Sequence, residues 1–193
     1  WMRQSGLEAA IRKLAAQGVP VLGVCGGYQM LGRTLADPDG TESGTPQTLR
    51  GLGLLPTDTV FTRQKHRTQV SAAVTAASFA GAELTGYEIH TGRTEVQGTP
   101  FCTQADGTPE GCVQDNVFGT YLHGLFDTGA LTEALTEMLC RRKGITPTET
   151  ALLSMEQYRR QQFDLLADGV RGALDMAAVY AAMGMDHTGG KCV

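Results

Sequence analysis

The sequence is short of several things, and each shortage removes a class of function. Basic residues do not outnumber acidic ones: 16 Lys and Arg stand against 20 Asp and Glu, a net charge of −4. Without a basic excess there is no electrostatic footprint for nucleic acid, and no nucleic-acid partner is expected. No apolar run approaches the length of a bilayer span, so no membrane partner is expected. The opening residues Trp1-Met2-Arg3-Gln4-Ser5 hold no apolar stretch of a secretory leader. No repeat of solenoid period is visible. The five cysteines, Cys25, Cys102, Cys112, Cys140 and Cys192, are odd in number, and no pair has C-x-x-C spacing. That disfavours a disulfide scaffold or a zinc ribbon and fits a reducing cytoplasm. No His, Cys or Asp cluster has metal-ligand spacing in sequence, so no metal is expected. A chain that opens on Trp reads as a cut through a longer protein. What remains, 193 residues with 41% apolar and 19% charged content, suits one α/β domain with a real core.

Glycine is plentiful, and the glycines cluster in turns and around Cys25. Residues 19–25 form an apolar, β-branched run that reads as a buried strand. Tyr28-Gln29-Met30-Leu31 then opens a helix. Between them stands Gly23-x-Cys25-x-Gly27, the spacing of a nucleophile elbow with Cys in place of Ser. A nucleophile at a sharp strand-to-helix turn holds strained backbone, and side chains two residues to either side are expected to collide. The following helix points its N-terminus at the sulfur and favours the thiolate. The backbone N–H of Gly26 is placed to donate to a developing oxyanion. Two plainer readings compete: a cysteine that only packs, and a glycine turn that cradles phosphate. Against the second, the stretch is not G-x-G-x-x-G, and no P-loop Lys follows.

In chain order, Ser5 is expected to cap a helix over residues 6–17, with Gly18 ending it. A helix followed by a buried strand is half of a βαβ unit, so a parallel sheet is expected. The elbow helix is expected from about residue 27 to residue 36, then a polar loop over residues 41–50. Residues 57–64 alternate weakly, and residues 65–76 contain a strand. Residues 86–94 read as a strand with Tyr87, Ile89 and Thr91 on one face and Glu88 and His90 on the other. Residues 101–112 read as a hairpin and residues 116–123 as a strand ending at His123. Helices are expected over residues 131–143 and 155–174, and a short one over residues 176–183 capped by Asp175.

Three blocks together carry a resemblance: residues 21–32 around Cys25, Gly86-Tyr87-Glu88-Ile89-His90-Thr91-Gly92, and Gly119-Thr120-Tyr121-Leu122-His123-Gly124-Leu125-Phe126-Asp127. In this order and spacing the chain resembles the C-terminal glutamine amidotransferase domain of the cobyric acid synthases, from about residue 2 to residue 183. The elbow is shared by many class I amidotransferases; the second and third blocks narrow the likeness to the cobyric acid synthase and cobyrinate diamide synthase branch. The resemblance implies a flavodoxin-like α/β domain, an open and mostly parallel sheet flanked by helices. That domain is expected over residues 1–184, with its first strands and one oxyanion-hole loop absent, and a loose tail over residues 185–193.

The resemblance also implies roles. Cys25 is the expected nucleophile, His123 the base that becomes the acid, and Gly26 an oxyanion donor. Many class I amidotransferases carry Glu two residues after the His; here Leu125 stands there, as in this branch. Glu88 is therefore a candidate orienting group, with a structural carboxylate paired to Arg93 or Lys65 as the alternative. His90, Tyr28 and Gln29 are candidates for the glutamine pocket. No cofactor is expected in this domain. ATP and Mg2+ are expected in an N-terminal synthetase domain of the same enzyme, the domain that meets the corrinoid substrate. The expected reaction is ammonia release from glutamine for amidation of adenosylcobyrinic acid a,c-diamide. Alternatives are cobyrinate a,c-diamide synthase, a cell-wall amidating homologue, or an inactive fragment.

Overall fold

The computed structural model describes residues 1–146 and 155–185. The chain divides into two compact units, Trp1–Thr150 and Ala151–Val193. Most of the expected tail, with His187 and Cys192, lies outside the described residues.

In the first unit, α1 (Leu7–Ala16) is entered through Gly6 in the left-handed region, without a side-chain cap. Ser5 turns its hydroxyl back to the Met2 carbonyl instead, so the expected Ser5 cap is not made. The helix ends at Gly18 (φ 74°), as expected. Strand β1 (Val21–Val24) follows, and Asn116 ties the junction by donating to the carbonyls of Ala15 and Val19. The elbow helix α2 (Gly26–Leu31) is shorter than expected. Gly32 is extended and lies against the Thr57 backbone, so the chain leaves the helix there and enters strand β2 (Thr34–Asp37). Part of the expected polar loop is strand β3 (Gln47–Arg50), paired antiparallel with β2.

A long hairpin follows: β4 (Thr57–Val74), a 3-10 turn at Ala77–Phe79, and β5 (Glu83–Val96). Its register shifts between Phe61 and His66, and from there His66 faces His90 and Thr68 faces Glu88. The short hairpin β6 (Cys102–Gln104) and β7 (Pro109–Glu110) matches expectation. Then come β8 (Cys112–Gln114), β9 (Val117–Thr120), β10 (Leu122–His123) and helix α3 (Ala130–Lys143).

The α/β class holds, but the sheet is not mostly parallel. Strand β1 pairs parallel with β9, and β2 pairs parallel with β4. The remaining ladders are antiparallel, and the strands fall into a three-stranded sheet (β1-β9-β8) and a seven-stranded sheet built on β4 and β5. The parallel expectation came from one helix–strand junction and from the resemblance. Hairpins, which need only short turns, supply most of the other pairs.

Two apolar clusters hold the unit together. One joins Val74, Phe79, Phe101, Phe118, Leu122 and Leu131, with the aromatic rings at edge or tilted contact. The other gathers Ala15, Leu31, Leu55, Val117 and Tyr121 around Tyr28. In the second unit, α4 (Met155–Ala173) and α5 (Met176–Ala182) are helical as expected, and the Asp175 carboxylate accepts from the Ala178 N–H as a cap. Among the described residues no helix is long and apolar enough to cross a membrane.

Candidate active site

Strand β1 delivers Cys25 into a strained turn. Its backbone stands at φ 52° and ψ −114°, a combination sterically costly for any side chain, and its N–H is held by the Thr120 carbonyl at 2.9 Å. The turn is possible because Gly23 lacks a side chain. A Cβ there would meet the carbonyl carbon and oxygen of Gly27 at 2.8 Å each. The mirror expectation fails: a Cβ at Gly27, like one at Gly26, meets nothing within 4 Å. The space over Gly26 and Gly27 is open, and the steric demand of the elbow falls on Gly23 alone.

His123 does not sit at the end of the strand parallel to β1, as expected. That strand, β9, stops at Thr120, and the chain crosses to the other sheet at Tyr121. There β10 pairs with β5, with His123 opposite Tyr87 and Leu122 opposite Glu88. Close approach at Gly86 permits this, since a Cβ there would fall 2.0 Å from the His123 carbonyl oxygen. The His123 ring stacks on Tyr87 with centroids 5.2 Å apart. Its Nε2 is buried and has no hydrogen-bond partner among the described residues. The Cys25 thiol donates to the Ile89 carbonyl at 3.5 Å. Elbow cysteine and histidine are thus brought to the same strand, β5, one at Ile89 and the other at Tyr87.

Glu88 is placed differently from an orienting carboxylate. Side chains alternate along β5, so Glu88 projects to the opposite face from Tyr87 and its partner His123. Its carboxylate accepts from Gln104 at 2.9 Å and meets His66 Nε2 at 3.0 Å, rather than the Arg93 or Lys65 considered above. His90, two residues on, donates from Nδ1 to the Gly92 carbonyl at 2.7 Å, because a carbonyl can only accept. Its ring stacks on Tyr121 at 3.8 Å. Burial is the main reason its pKa falls below the ordinary histidine value. His66, Glu88 and His90 each bring one ligand-type atom within 4.8 Å of the others. The sequence shows no metal-ligand spacing because this cluster is assembled across a ladder, not along the chain.

Gln29 is buried and donates to the Tyr121 hydroxyl at 3.1 Å. That hydroxyl also shares a hydrogen bond with Thr94, itself bonded to Thr59. Tyr28 is 1% exposed and packs edge-on against Tyr121. Burial drives its pKa far up, and its hydroxyl has no partner among the described residues. A cleft of about 740 Å3 runs along this wall, lined by His66, Glu88, His90, Glu110, Tyr28 and Tyr121 among others.

One residue in this wall was missed by sequence reading. Glu110 accepts from the Tyr121 N–H and from the Thr120 hydroxyl, both at 2.6 Å, and from Cys102 at 3.4 Å. Thr120 in turn accepts from the Leu122 N–H. The carboxylate therefore pins the crossing from β9 to β10 that leads to His123. Burial raises its pKa, and the hydrogen bonds from Thr120, Tyr121 and Cys102 offset only part of the rise. Nothing in the local sequence Thr108-Pro109-Glu110-Gly111 marks a buried acid.

An α/β unit carrying a strained cysteine at a glycine elbow, with a half-buried histidine brought in from the second sheet, has the build of an amidotransferase. Residues 1–131 match the CobB/CobQ-like glutamine amidotransferase domain, and the chain belongs to that family. It is 45% identical over 196 residues to the cobyric acid synthase of Citrobacter koseri, covering 95% of this chain and 38% of that protein. The cobyric acid synthase of Salmonella arizonae is 44% identical over the same length and coverage. The chain thus spans 38% of the length of the curated relatives it matches. Among solved structures, PurLQS from Thermotoga maritima overlays 69% of this chain and 68% of its own at 17% identity and a TM-score of 0.49, too slight a likeness to argue from.

Proposed function

We propose that this chain is the glutaminase part of a cobyric acid synthase, releasing ammonia from glutamine. The observation that carries the reading is the strained Cys25 elbow with its thiol on β5 at Ile89, and His123 paired beside the same strand at Tyr87, its buried Nε2 without a hydrogen-bond partner among the described residues. Cys25 attacks the carboxamide carbon of glutamine. His123 takes the thiol proton and passes it to the departing ammonia, leaving a γ-glutamyl thioester. Water, deprotonated by His123, then opens the thioester to glutamate. The Gly26 N–H donates to the oxyanion in both steps, where the backbone is open to a ligand. His90 and Tyr121 line the cleft, and buried Gln29 holds the Tyr121 hydroxyl from behind. Tyr28 lines the cleft with its edge and packs the rest of its ring into the core against Tyr121. Glu88 acts in the same cleft and not on His123, since its oxygens are bonded to His66 and Gln104.

The relatives are cobyric acid synthases, and we propose further that the ammonia serves ATP- and Mg2+-dependent amidation of side-chain carboxylates of adenosylcobyrinic acid a,c-diamide. A synthetase domain of the same enzyme, working in the cytoplasm, binds the nucleotide and the corrinoid. The relatives' identity favours this over a cobyrinate diamide synthase.

The test uses a glutamine-shaped alkylating reagent, such as a diazoketone analogue, with the adduct located by mass spectrometry. One adduct on Cys25 is expected, slowed at least about 10-fold by His123→Ala. An adduct on another cysteine, or an unchanged rate in His123→Ala, overturns the dyad. In a polypeptide that joins this domain to its synthetase, Cys25→Ala should abolish glutamine-dependent amidation and spare amidation from free ammonia.

A further inference from the structure

We infer that His66, Glu88 and His90 form a binding site for a divalent first-row transition metal ion of the zinc type, on the cleft wall formed by β4 and β5. The inference is independent of the glutaminase reading and stands on the ladder geometry. Past the register shift, His66 lies directly opposite His90, while Glu88 is two residues before His90 on the same face. One ligand atom from each lies within 4.8 Å of the other two, and His66 Nε2 is 3.0 Å from the Glu88 carboxylate. Ligands at 2.0–2.1 Å from a tetrahedral ion stand roughly 3.3 Å apart. Closing from a spread of at most 4.8 Å to that spacing asks for side-chain shifts of about 1.5 Å or less. His66, with its side chain about half exposed, has the freedom to make them.

The other two ligands are already held by outer contacts of the kind metal ligands use. The Nδ1–H of His90 is fixed on the Gly92 carbonyl, which leaves the Nε2 lone pair for a metal. Its ring plane is set by the stack on Tyr121. The second oxygen of Glu88 is held by Gln104. Glu88 is also a buried carboxylate whose only ion-pair partner among the described residues is His66. A buried charge is costly without full compensation, and a divalent cation supplies it. Two imidazoles and one carboxylate suit zinc and its neighbours; magnesium and calcium favour sites built from oxygen alone. Three protein ligands leave at least one position free, and it opens on the cleft that the three residues line. The bound ion cross-links β4 to β5 and offers the cleft a site for water or an anionic ligand group.

The test titrates the metal-free full chain with zinc against a chromogenic chelator, and with cobalt for its visible spectrum. One equivalent is expected, with cobalt bands of nitrogen and oxygen ligation and no thiolate charge-transfer band. His66→Ala should weaken zinc by about 100-fold or more, and Gln104→Ala by about 10-fold or more. Zinc should raise the melting temperature of the wild type and leave His66→Ala unmoved. Because His66 is half exposed, His66→Ala should melt like the metal-free wild type, which separates ligand loss from misfolding; His66→Gln serves as a second variant. No stoichiometric binding by the wild type, binding unaffected by His66→Ala and His66→Gln, or a thiolate band would each overturn the site.

Discussion

Replacing Gly23 with Ala tests the steric logic of the elbow. The added Cβ would stand 2.5 Å from Leu31 Cδ1 and 2.8 Å from both the carbonyl carbon and oxygen of Gly27, where ordinary contact begins at 3.4 Å. Leu31 is only 4% exposed, so its methyl has little room to retreat. The Gly27 carbonyl is backbone, so relief requires β1 and the start of α2 to part by about 0.6 Å, the difference between those two distances. Overpacking of this kind costs about 1–3 kcal/mol. At about 2–4 °C per kcal/mol, the melting temperature should fall by roughly 2–12 °C. Gly27→Ala is the control with the opposite sign. Its Cβ meets nothing within 4 Å, its φ is not in the left-handed region, and it lies inside α2. Alanine there should be neutral or stabilising by up to about 1 kcal/mol. Because the Gly23 clash displaces the turn that carries the sulfur, alkylation of Cys25 by the glutamine-shaped reagent should also slow by about 10–100-fold. The assay is a thermal melt of both variants beside the alkylation rate of Gly23→Ala. Wild-type melting by Gly23→Ala, or an equal loss in Gly27→Ala, would show that the elbow does not depend on the space over Gly23.

Two further outcomes concern buried acids. Glu110→Gln keeps one acceptor but turns an amide N–H2 toward either the Tyr121 N–H or the Thr120 hydroxyl, and should cost about 1–3 kcal/mol in urea melts at pH 7. The folded pKa of Glu110 is raised, so the folded chain binds this proton more tightly than the unfolded one. The wild type should therefore lose stability relative to Glu110→Gln as pH rises from the ordinary value of 4.5 through the raised value, and a flat difference would contradict the burial effect. Asp37 behaves in the reverse way. Burial raises its pKa, but the N–H groups of Ser43, Glu42 and Thr41 and the Ser43 hydroxyl together outweigh it and hold the carboxyl below its usual range. Its contribution should be complete above about pH 4 and vanish as pH falls through the lowered value, so the gap in melting temperature to Asp37→Asn should close on acidification.

The elbow, the helices at residues 7–16 and 130–143, the 101–112 hairpin, the Asp175 cap and the family were legible in the amino-acid order alone. These are local or compact signals: a glycine spacing, a 3.6-residue period, a turn, a run of motif residues. The alternation that sets Glu88 and His90 apart from Tyr87 was legible for the same reason, because side-chain direction in a strand depends only on parity. Partnership across sequence distance became visible only in the folded chain. Parity along β5 says nothing about which strand arrives beside it, and β10 arrives with His123 opposite Tyr87, which puts Glu88 on the wrong face to orient it. Sheet direction depends on connections between distant strands, so one helix–strand junction could not reveal that most ladders are antiparallel. Glu110 was invisible because burial of an acid is set by the segments that fold over it: Thr120, Tyr121 and Cys102 come from three different strands or turns. The His66, Glu88 and His90 cluster has the same origin, since ligand geometry there is a property of register between β4 and β5 and not of spacing along either strand.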